Sequence, residues 1–278
     1  MNSPSRPLTR LDKPDVLSGL FASWDAIDDV VGDLPDAQWS QSTSLPGWTV
    51  HDVVAHVVGT ESMLQGVGTP EADIDVSTLK HVRNDIGVLN ERWVRRLRGL
   101  SHAELLERFR ATTAERREAL TAMAEDRWHE LTATPAGPDS YGRFMRVRTF
   151  DCFMHEQDVR DAVGELDADL AGPASRLALD EMATSMGFVV GKLGKAPDGS
   201  RVRLKLTGPL ARTINVAVDG RAKVVDDFDG EPTTTIALDG LLFTRLAGGR
   251  VAVDHGAIAY GGDEAVGRRI VEHLNFVI

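Results

Sequence analysis

The most informative stretch of the 278-residue chain is MRVRTFDCFMHEQDVRDAVG, residues 145–164. At helical spacing, about 100° per residue, it places four ionisable side chains on one stripe: Arg148, Asp151, His155 and Asp158. Apolar residues flank that stripe, so it lies in the middle of the face that a core-facing helix buries. Burying a carboxylate costs several kcal/mol unless it is paired or bound to a metal. The stripe therefore requires compensating partners.

A metal ion is one such partner. Asp151 and His155 are at positions i and i+4, so their side chains project together and can bind one ion. His56, embedded in VVAHVV on an earlier predicted helix, is the natural third ligand. Two histidines and one carboxylate, with water in the remaining position, form the ligand set of a catalytic zinc site. Arg148 and Asp158 are predicted to orient the ligands through hydrogen bonds. A buried Arg148–Asp151 pair, or a pair between Asp158 and an arginine, would also satisfy the stripe without metal.

The periodicity of the sequence changes once along the chain. Helical spacing predicts helices over 14–33, 49–66, 81–98, 102–127, 144–163 and 174–193. Thr49-x-x-Asp52 and Ser101-x-x-Glu104 are capping boxes that begin two of them. After about residue 195 the period becomes two in RVRLKLTG, TINVAVDG and TTTIALDG, with two short helical stretches between and after these strands. The predicted domains are a helical bundle over residues 1–196 and a small α+β domain over residues 197–278.

Composition narrows the class of partner. The formal net charge of −11 argues against non-specific nucleic-acid binding and against an anionic membrane surface, since both favour a basic patch. Cys152 is the only cysteine, which excludes an intramolecular disulfide and is compatible with a reducing cytosol. The chain contains no apolar stretch of about 18 residues, the length that spans a bilayer. We therefore expect a soluble cytoplasmic protein with a small-molecule substrate, and the oligomeric state stays open.

Several other residues near the stripe are expected to have structural roles. Cys152 is predicted to be a small core hydrophobe rather than a nucleophile, because nearby carboxylates would raise its pKa. Trp48 is expected to pack at the start of the second helix rather than to line a site. The remaining histidines are expected on solvated faces or loops: His51, His81, His102, His129, His255 and His273.

Two motifs in combination carry a family resemblance. LPGWTVHDVVAHV, residues 45–57, precedes R-x-x-D-x-x-x-H-x-x-D, which runs from Arg148 to Asp158. Together they resemble the mycothiol-dependent maleylpyruvate isomerase family, whose members belong to the DinB-like metal-binding four-helix bundles. The stretch DGLLFTRLAGGR…IAYGGDEAVGRRIVEHLNF is similar to that family's small sterol-carrier-like domain. The resemblance implies a DinB-like four-helix bundle with extra helices, followed by a small C-terminal α/β domain.

The resemblance also implies a set of functional residues and cofactors. The family's metal ligands fall on His56, Asp151 and His155, with Asp where the isomerases have Glu. An arginine of the small domain that acts on the substrate falls on Arg250, with Arg245 as the second choice. The implied cofactors are a divalent metal, zinc in the first instance, and mycothiol as co-substrate. Sites of histidine and carboxylate accept several metals, so the sequence leaves the ion's identity open.

Three functions are compatible with these residues. The leading hypothesis is a metal- and mycothiol-dependent isomerase or S-transferase acting on a small electrophilic substrate, because an open zinc position can hold a thiol as thiolate. The second is a non-catalytic small-ligand-binding protein with a structural or vestigial metal. The third is a metal-dependent hydrolase in which Asp158 is the general base. Nothing in the sequence identifies the electrophile.

Overall fold

The computed structural model describes residues 7–165 and 170–276. The chain divides into two compact units, here called the helical unit, residues 1–168, and the sheet unit, residues 169–278. A helical bundle followed by a small sheet domain confirms the predicted fold class. Among the described residues, no helix combines the length and the apolar character that crossing a membrane requires.

The helical unit is a four-helix bundle with additional short elements. Its described helices are α1 (Lys13–Val31), α2 (Asp36–Trp39), α3 (Val50–Leu64), α4 (Asp85–Leu97), α5 (His102–Ala122), α6 (Glu125–Trp128) and α7 (Tyr141–Val163). The bundle consists of α1, α3, α5 and α7, and α4 packs on α3. A short antiparallel pair, β1 (Leu131–Thr132) and β2 (Asp139–Ser140), leads into α7. This arrangement places α3 against α7, the two helices that carry the predicted ligands.

Capping residues explain where the helices begin and end. The capping boxes at Thr49 and Ser101 are both formed, as the sequence predicts. Gly164 ends α7 in the left-handed conformation with φ of 75°, which glycine adopts without strain. The helix predicted to begin at residue 81 begins later, because the Asn84 side chain caps it by accepting from the Gly87 backbone. The predicted helix over 102–127 is two helices, α5 and α6, since the chain becomes extended at Met123.

α7 is buried on almost every side. The sequence pattern gives it a polar face opposite the stripe, but the side chains on that face are each less than a tenth exposed: Arg146, Thr149, Glu156, Gln157 and Arg160. The reason is that α7 packs against both α1 and α3, so its surroundings override its amphipathic pattern. Charges on this face pair along the helix, as in the 2.7 Å contact between Arg160 Nε and Glu156 Oε1.

The sheet unit contains a mixed five-stranded sheet. Its strands are β3 (Arg201–Thr207), β4 (Arg212–Asp219), β5 (Arg221–Val225), β6 (Thr234–Asp239) and β7 (Ala259–Gly262). They lie in the order β5-β4-β3-β6-β7, in which β3 and β6 are parallel and the other pairs antiparallel. On β3 the alternate residues Val202, Leu204 and Leu206 are buried, which confirms the period of two in the sequence.

Within the described residues, the helices that accompany the sheet are α8 (Pro173–Phe188), α9 (Gly240–Ala247) and α10 (Glu264–Val271). α8 packs on β4 and β5, and a π-helical turn over Val189–Leu193 extends it. Because α8 is part of the sheet unit, the division between units comes earlier than the predicted boundary between residues 196 and 197. The change of sequence period therefore marks the first long strand, not the start of the unit.

Candidate metal centre

The histidine on α3 is almost completely enclosed. His56 is 3% exposed and lies on a helix whose other buried residues include Val53 and Val57. Burial lowers the pKa of His56, which favours the neutral ring that metals bind. Its Nδ1 atom is buried and has no hydrogen-bond partner among the described residues. The ring therefore depends on contacts made by its Nε2 atom.

Those contacts are with the two predicted ligands on α7. His56 Nε2 lies 3.2 Å from Asp151 Oδ2, and His155 Nε2 lies 3.7 Å from Asp151 Oδ1. The two imidazole rings are 4.8 Å apart between centroids. One potential ligand atom from each residue falls within 4.8 Å of the others. The fold thus brings together two imidazole nitrogens and a carboxylate oxygen, a donor set that suits a divalent cation.

Asp158 contacts the second histidine through the ring nitrogen that does not face Asp151. Its Oδ2 atom is 3.0 Å from His155 Nδ1, and the carboxylate is 1% exposed. A proton on Nδ1 directed at this carboxylate leaves the Nε2 lone pair facing Asp151. A carboxylate behind a histidine ligand is the usual arrangement in metal sites. The residues present therefore fit a metal.

The ion pair between Arg148 and Asp151, the alternative to a metal, is also formed. Arg148 Nη1 donates to Asp151 Oδ2, and Arg148 Nε donates to Glu61 Oε1 at 2.9 Å. Although burial raises it, the pKa of Asp151 is held well below its usual range by Arg148, then by His155 and His56. Asp151 is therefore a carboxylate at neutral pH, with one oxygen contacted by Arg148 and the other directed towards His155.

Glu61 extends this contact into a buried cluster that the sequence analysis missed. Its second oxygen, Oε2, accepts from Arg116 Nε at 2.9 Å, and Arg116 Nη2 donates to the Tyr141 hydroxyl at 3.3 Å. Glu61 is fully buried on α3. The signal was available, because Glu61 follows Val57 by four positions and so lies on the same buried face. The same reasoning that singled out α7 would have found it.

Trp48 lies beside the two predicted histidine ligands as well as at the start of α3, so its position fits both a packing role and a wall of the site. Its ring centroid is 5.3 Å from that of His56 and 6.2 Å from that of His155. The indole Nε1 donates to Glu91 Oε2 at 3.0 Å. From the same loop, Ser44 Oγ donates to Asp158 Oδ1 at 3.0 Å. Neither Ser44 nor Glu91 was predicted, because both contacts depend on the loop's conformation.

Other predicted residues fall in several places. Cys152 is fully buried, which confirms its assignment to the core, and burial raises its pKa to about 12. Arg250 and Arg245 lie in the sheet unit, where Arg250 Nη1 donates to the Gly248 carbonyl, and their part in the reaction stays a prediction.

His51 contradicts the expectation of a solvated ring, since it is 7% exposed. It contacts the Leu100 carbonyl through Nε2 at 3.1 Å.

Comparison with protein families matches most of the chain. Residues 20–160 match the model of the mycothiol maleylpyruvate isomerase N-terminal domain. Residues 176–269 match the model of the corresponding C-terminal domain. The chain belongs to the mycothiol-dependent maleylpyruvate isomerase family. The resemblance predicted from the two sequence motifs is thereby confirmed.

Individual relatives agree with the family assignment. Uncharacterised proteins from two strains of Mycobacterium tuberculosis are each 26% identical over 202 residues, covering 73% of this chain and 76% of the relative. A crystal structure of the mycothiol-dependent maleylpyruvate isomerase matches with a TM-score of 0.58 at 16% identity, covering 90% of this chain and 93% of that one. Its histidine-to-alanine mutant matches equally well. At this identity the likeness shows the fold.

Proposed function

We propose that this family member is a metal- and mycothiol-dependent enzyme, an isomerase or S-transferase acting on a small electrophilic substrate. The observation that carries the proposal is the convergence of two imidazole nitrogens and one carboxylate oxygen within 4.8 Å in a member of this family. His56, Asp151 and His155 would hold a divalent ion, with zinc the first choice for this donor set. The ion would act as a Lewis acid that lowers the pKa of a thiol, so that the nucleophilic thiolate is present at neutral pH.

The surrounding residues have distinct tasks in this proposal. Asp158 keeps a proton on His155 Nδ1 and so leaves Nε2 free to bind. Arg148 compensates part of the charge of Asp151. Trp48 excludes water from one side of the imidazoles, which strengthens the electrostatic interactions beneath it. In this proposal none of these residues exchanges a proton with the substrate.

A turnover assay tests the proposal. Protein loaded with Zn²⁺ is incubated with maleylpyruvate or a haloalkyl electrophile, each with and without mycothiol. Conversion of either compound that requires both metal and mycothiol, and that His155→Ala abolishes, is the expected result. His102→Ala is the matched control, because His102 contacts Asp36 and Trp39 rather than the ligands. Conversion by water without thiol would instead support a hydrolase, and absence of metal-dependent chemistry would leave a ligand-binding protein.

The arginine expected from the family is tested separately. We propose that Arg250 acts on an anionic group of the substrate, where a planar guanidinium can make two parallel hydrogen bonds. Arg250→Lys should lower kcat/KM while leaving metal affinity unchanged. Arg245→Lys is the matched control within the same unit. The opposite pattern, with Arg245 sensitive and Arg250 tolerant, would transfer the role to Arg245.

A further inference from the structure

The loop between α2 and α3 is attached to the candidate metal centre at two points. A bridge between Ser42 and Thr49 closes it. Near one end, Ser44 donates to Asp158, the carboxylate behind His155. At the other end, the Trp48 indole lies against the imidazoles. The loop therefore lies against both histidine ligands and the carboxylate behind one of them.

Glu91 of α4 fixes the indole end of this loop. The carboxylate is 1% exposed and accepts from Trp48 Nε1 at 3.0 Å and from His81 Nε2 at 3.1 Å, both through Oε2. Its other oxygen, Oε1, is buried without a hydrogen bond among the described residues, with Arg98 Nη1 at 3.7 Å. A buried carboxylate costs several kcal/mol unless it is compensated. The charge of the Glu91 carboxylate is compensated by the Trp48 indole, the His81 ring and the Arg98 guanidinium.

His81 and Arg98 also contact the backbone at Gly47, next to Trp48. Gly47 adopts a φ of +82°, and a Cβ atom there would lie 3.1 Å from the His81 ring. Arg98 Nη2 donates to the Gly47 carbonyl at 3.1 Å, while its Nε donates to Asp52 Oδ1 at 2.7 Å. Asp52 belongs to the capping box of α3, the helix that carries His56. Loop and ligand helix are thus held by one set of contacts.

We propose that Glu91 is a positioning residue that holds the Trp48 indole against the two imidazoles, with His81 and Arg98 fixing its carboxylate. Trp48 is then the residue that selects ligands of the metal centre by size. The presence of a metal at this centre is taken from the proposed function, on which this inference rests. Loss of the Glu91 contact frees the indole to leave the imidazoles, so bulkier ligands gain access and water enters.

The first experiment needs no metal and isolates the hydrogen bond. In protein labelled with ¹⁵N-tryptophan, the Trp48 indole resonance is assigned by its absence in Trp48→Phe. We expect Glu91→Leu to shift that resonance upfield and to accelerate its hydrogen exchange by about tenfold or more. Glu91→Gln should restore slow exchange, because the amide oxygen can accept the same bond. Unchanged exchange in Glu91→Leu would overturn the proposal.

Controls separate positioning from general loosening of the bundle. Asp139→Asn alters another buried carboxylate of the same unit, one that contacts Thr9 and Arg143, and should leave the Trp48 resonance in place. The Trp128 indole, which donates to the Leu11 carbonyl, should be unaffected in every variant. Should Glu91→Leu fail to fold, His81→Leu removes a half-buried partner of the same carboxylate. It is expected to accelerate exchange at Trp48 selectively, and equal acceleration at Trp128 would contradict the proposal.

The second experiment places the indole beside the metal. Titration with Co²⁺, whose binding is measured in parallel by calorimetry, should broaden the Trp48 resonance before those of the other tryptophans. Bound Co²⁺ that leaves Trp48 sharp would overturn the positioning proposal. No Co²⁺ binding would overturn the proposed function, while the metal-free experiment still decides the role of Glu91. In Co²⁺-loaded protein, Glu91→Leu should change the ratio of mycothiol to 2-mercaptoethanol affinity several-fold, and an unchanged ratio would refute size selection.

Discussion

Two buried ionic clusters of the helical unit meet at Arg148 and differ in how completely they are paired. In the first, here called the arginine cluster, the two oxygens of Glu61 receive one guanidinium each, from Arg148 and Arg116. In the second, the ligand cluster, His56 and His155 both face the carboxylate of Asp151. The arginine cluster is complete within the protein. The ligand cluster presents converging lone pairs.

The difference shows that burial of charge alone does not identify a site. Burying Glu61 requires explanation as much as burying Asp151, yet its partners are all protein groups. In the ligand cluster, His56 Nδ1 has no hydrogen-bond partner within the described part of the chain, and His155 Nδ1 contacts Asp158. The convergence of two imidazole nitrogens and a carboxylate oxygen within 4.8 Å therefore distinguishes the candidate metal centre from the structural ion cluster. We expect the first cluster to govern folding and the second to govern metal binding.

The largest effect is expected in the arginine cluster. Glu61→Leu leaves two buried guanidinium groups without their shared counter-charge, so the free energy of unfolding should fall by about 3–5 kcal/mol. Urea denaturation monitored by circular dichroism measures it. The control is Glu130→Gln, which breaks an exposed pair with Arg127 and should cost about 1 kcal/mol or less. Equal effects in the two variants would remove the distinction between the clusters.

Substitutions in the ligand cluster should lower Zn²⁺ affinity more than they lower stability. His56→Ala or His155→Ala removes a ligand, so Zn²⁺ affinity should fall by more than about 100-fold, beyond the loss expected for an orienting partner. The metal-free protein should lose less stability than in Glu61→Leu. Calorimetric titration and urea denaturation give both quantities for each variant. A histidine variant that binds Zn²⁺ normally would show that this cluster is not the metal centre.

An intermediate effect is expected behind the ligands. Asp158→Asn removes the charge that orients His155, so Zn²⁺ affinity should fall by about 10–100-fold. Asp28→Asn is a suitable comparison, because the Asp28 carboxylate pairs with Arg110 rather than with a predicted ligand. We expect its Zn²⁺ affinity to match wild type. If Asp158→Asn also binds like wild type, the carboxylate does not orient the ligand.

The smallest effect concerns a buried histidine outside both clusters. Burial lowers the pKa of His51, so the folded state disfavours protonation of its ring. The unfolded chain takes up the proton below about pH 6.5, so this contribution to stability is present above that pH and is lost as pH falls towards the folded pKa. The melting temperature should therefore fall less between about pH 7 and pH 5 in His51→Asn than in wild type. An equal fall of the melting temperature in His51→Asn and in wild type would show that the pH dependence arises elsewhere.

Much of the fold and part of the site follow from the sequence. Helical spacing and capping boxes predict the long helices, and the ionisable stripe on α7 predicts Asp151 and His155. His56 required the family resemblance, because no local pattern links residues of different helices. Trp48 was expected to pack at the start of α3, and Glu91 was missed, because the contact between them depends on the conformation of a loop. The burial of α7 on both faces was also missed, because packing against α1 and α3 overrides amphipathicity.

The central claim is that His56, Asp151 and His155 bind a metal that in turn allows a thiol to bind. Calorimetric titration of mycothiol into metal-free, Zn²⁺-loaded and Zn²⁺-treated His155→Ala protein tests it most directly. We predict saturable binding at one thiol per chain in the loaded wild type alone. Equal mycothiol affinity in the metal-free protein, or undiminished affinity in His155→Ala, would contradict the account.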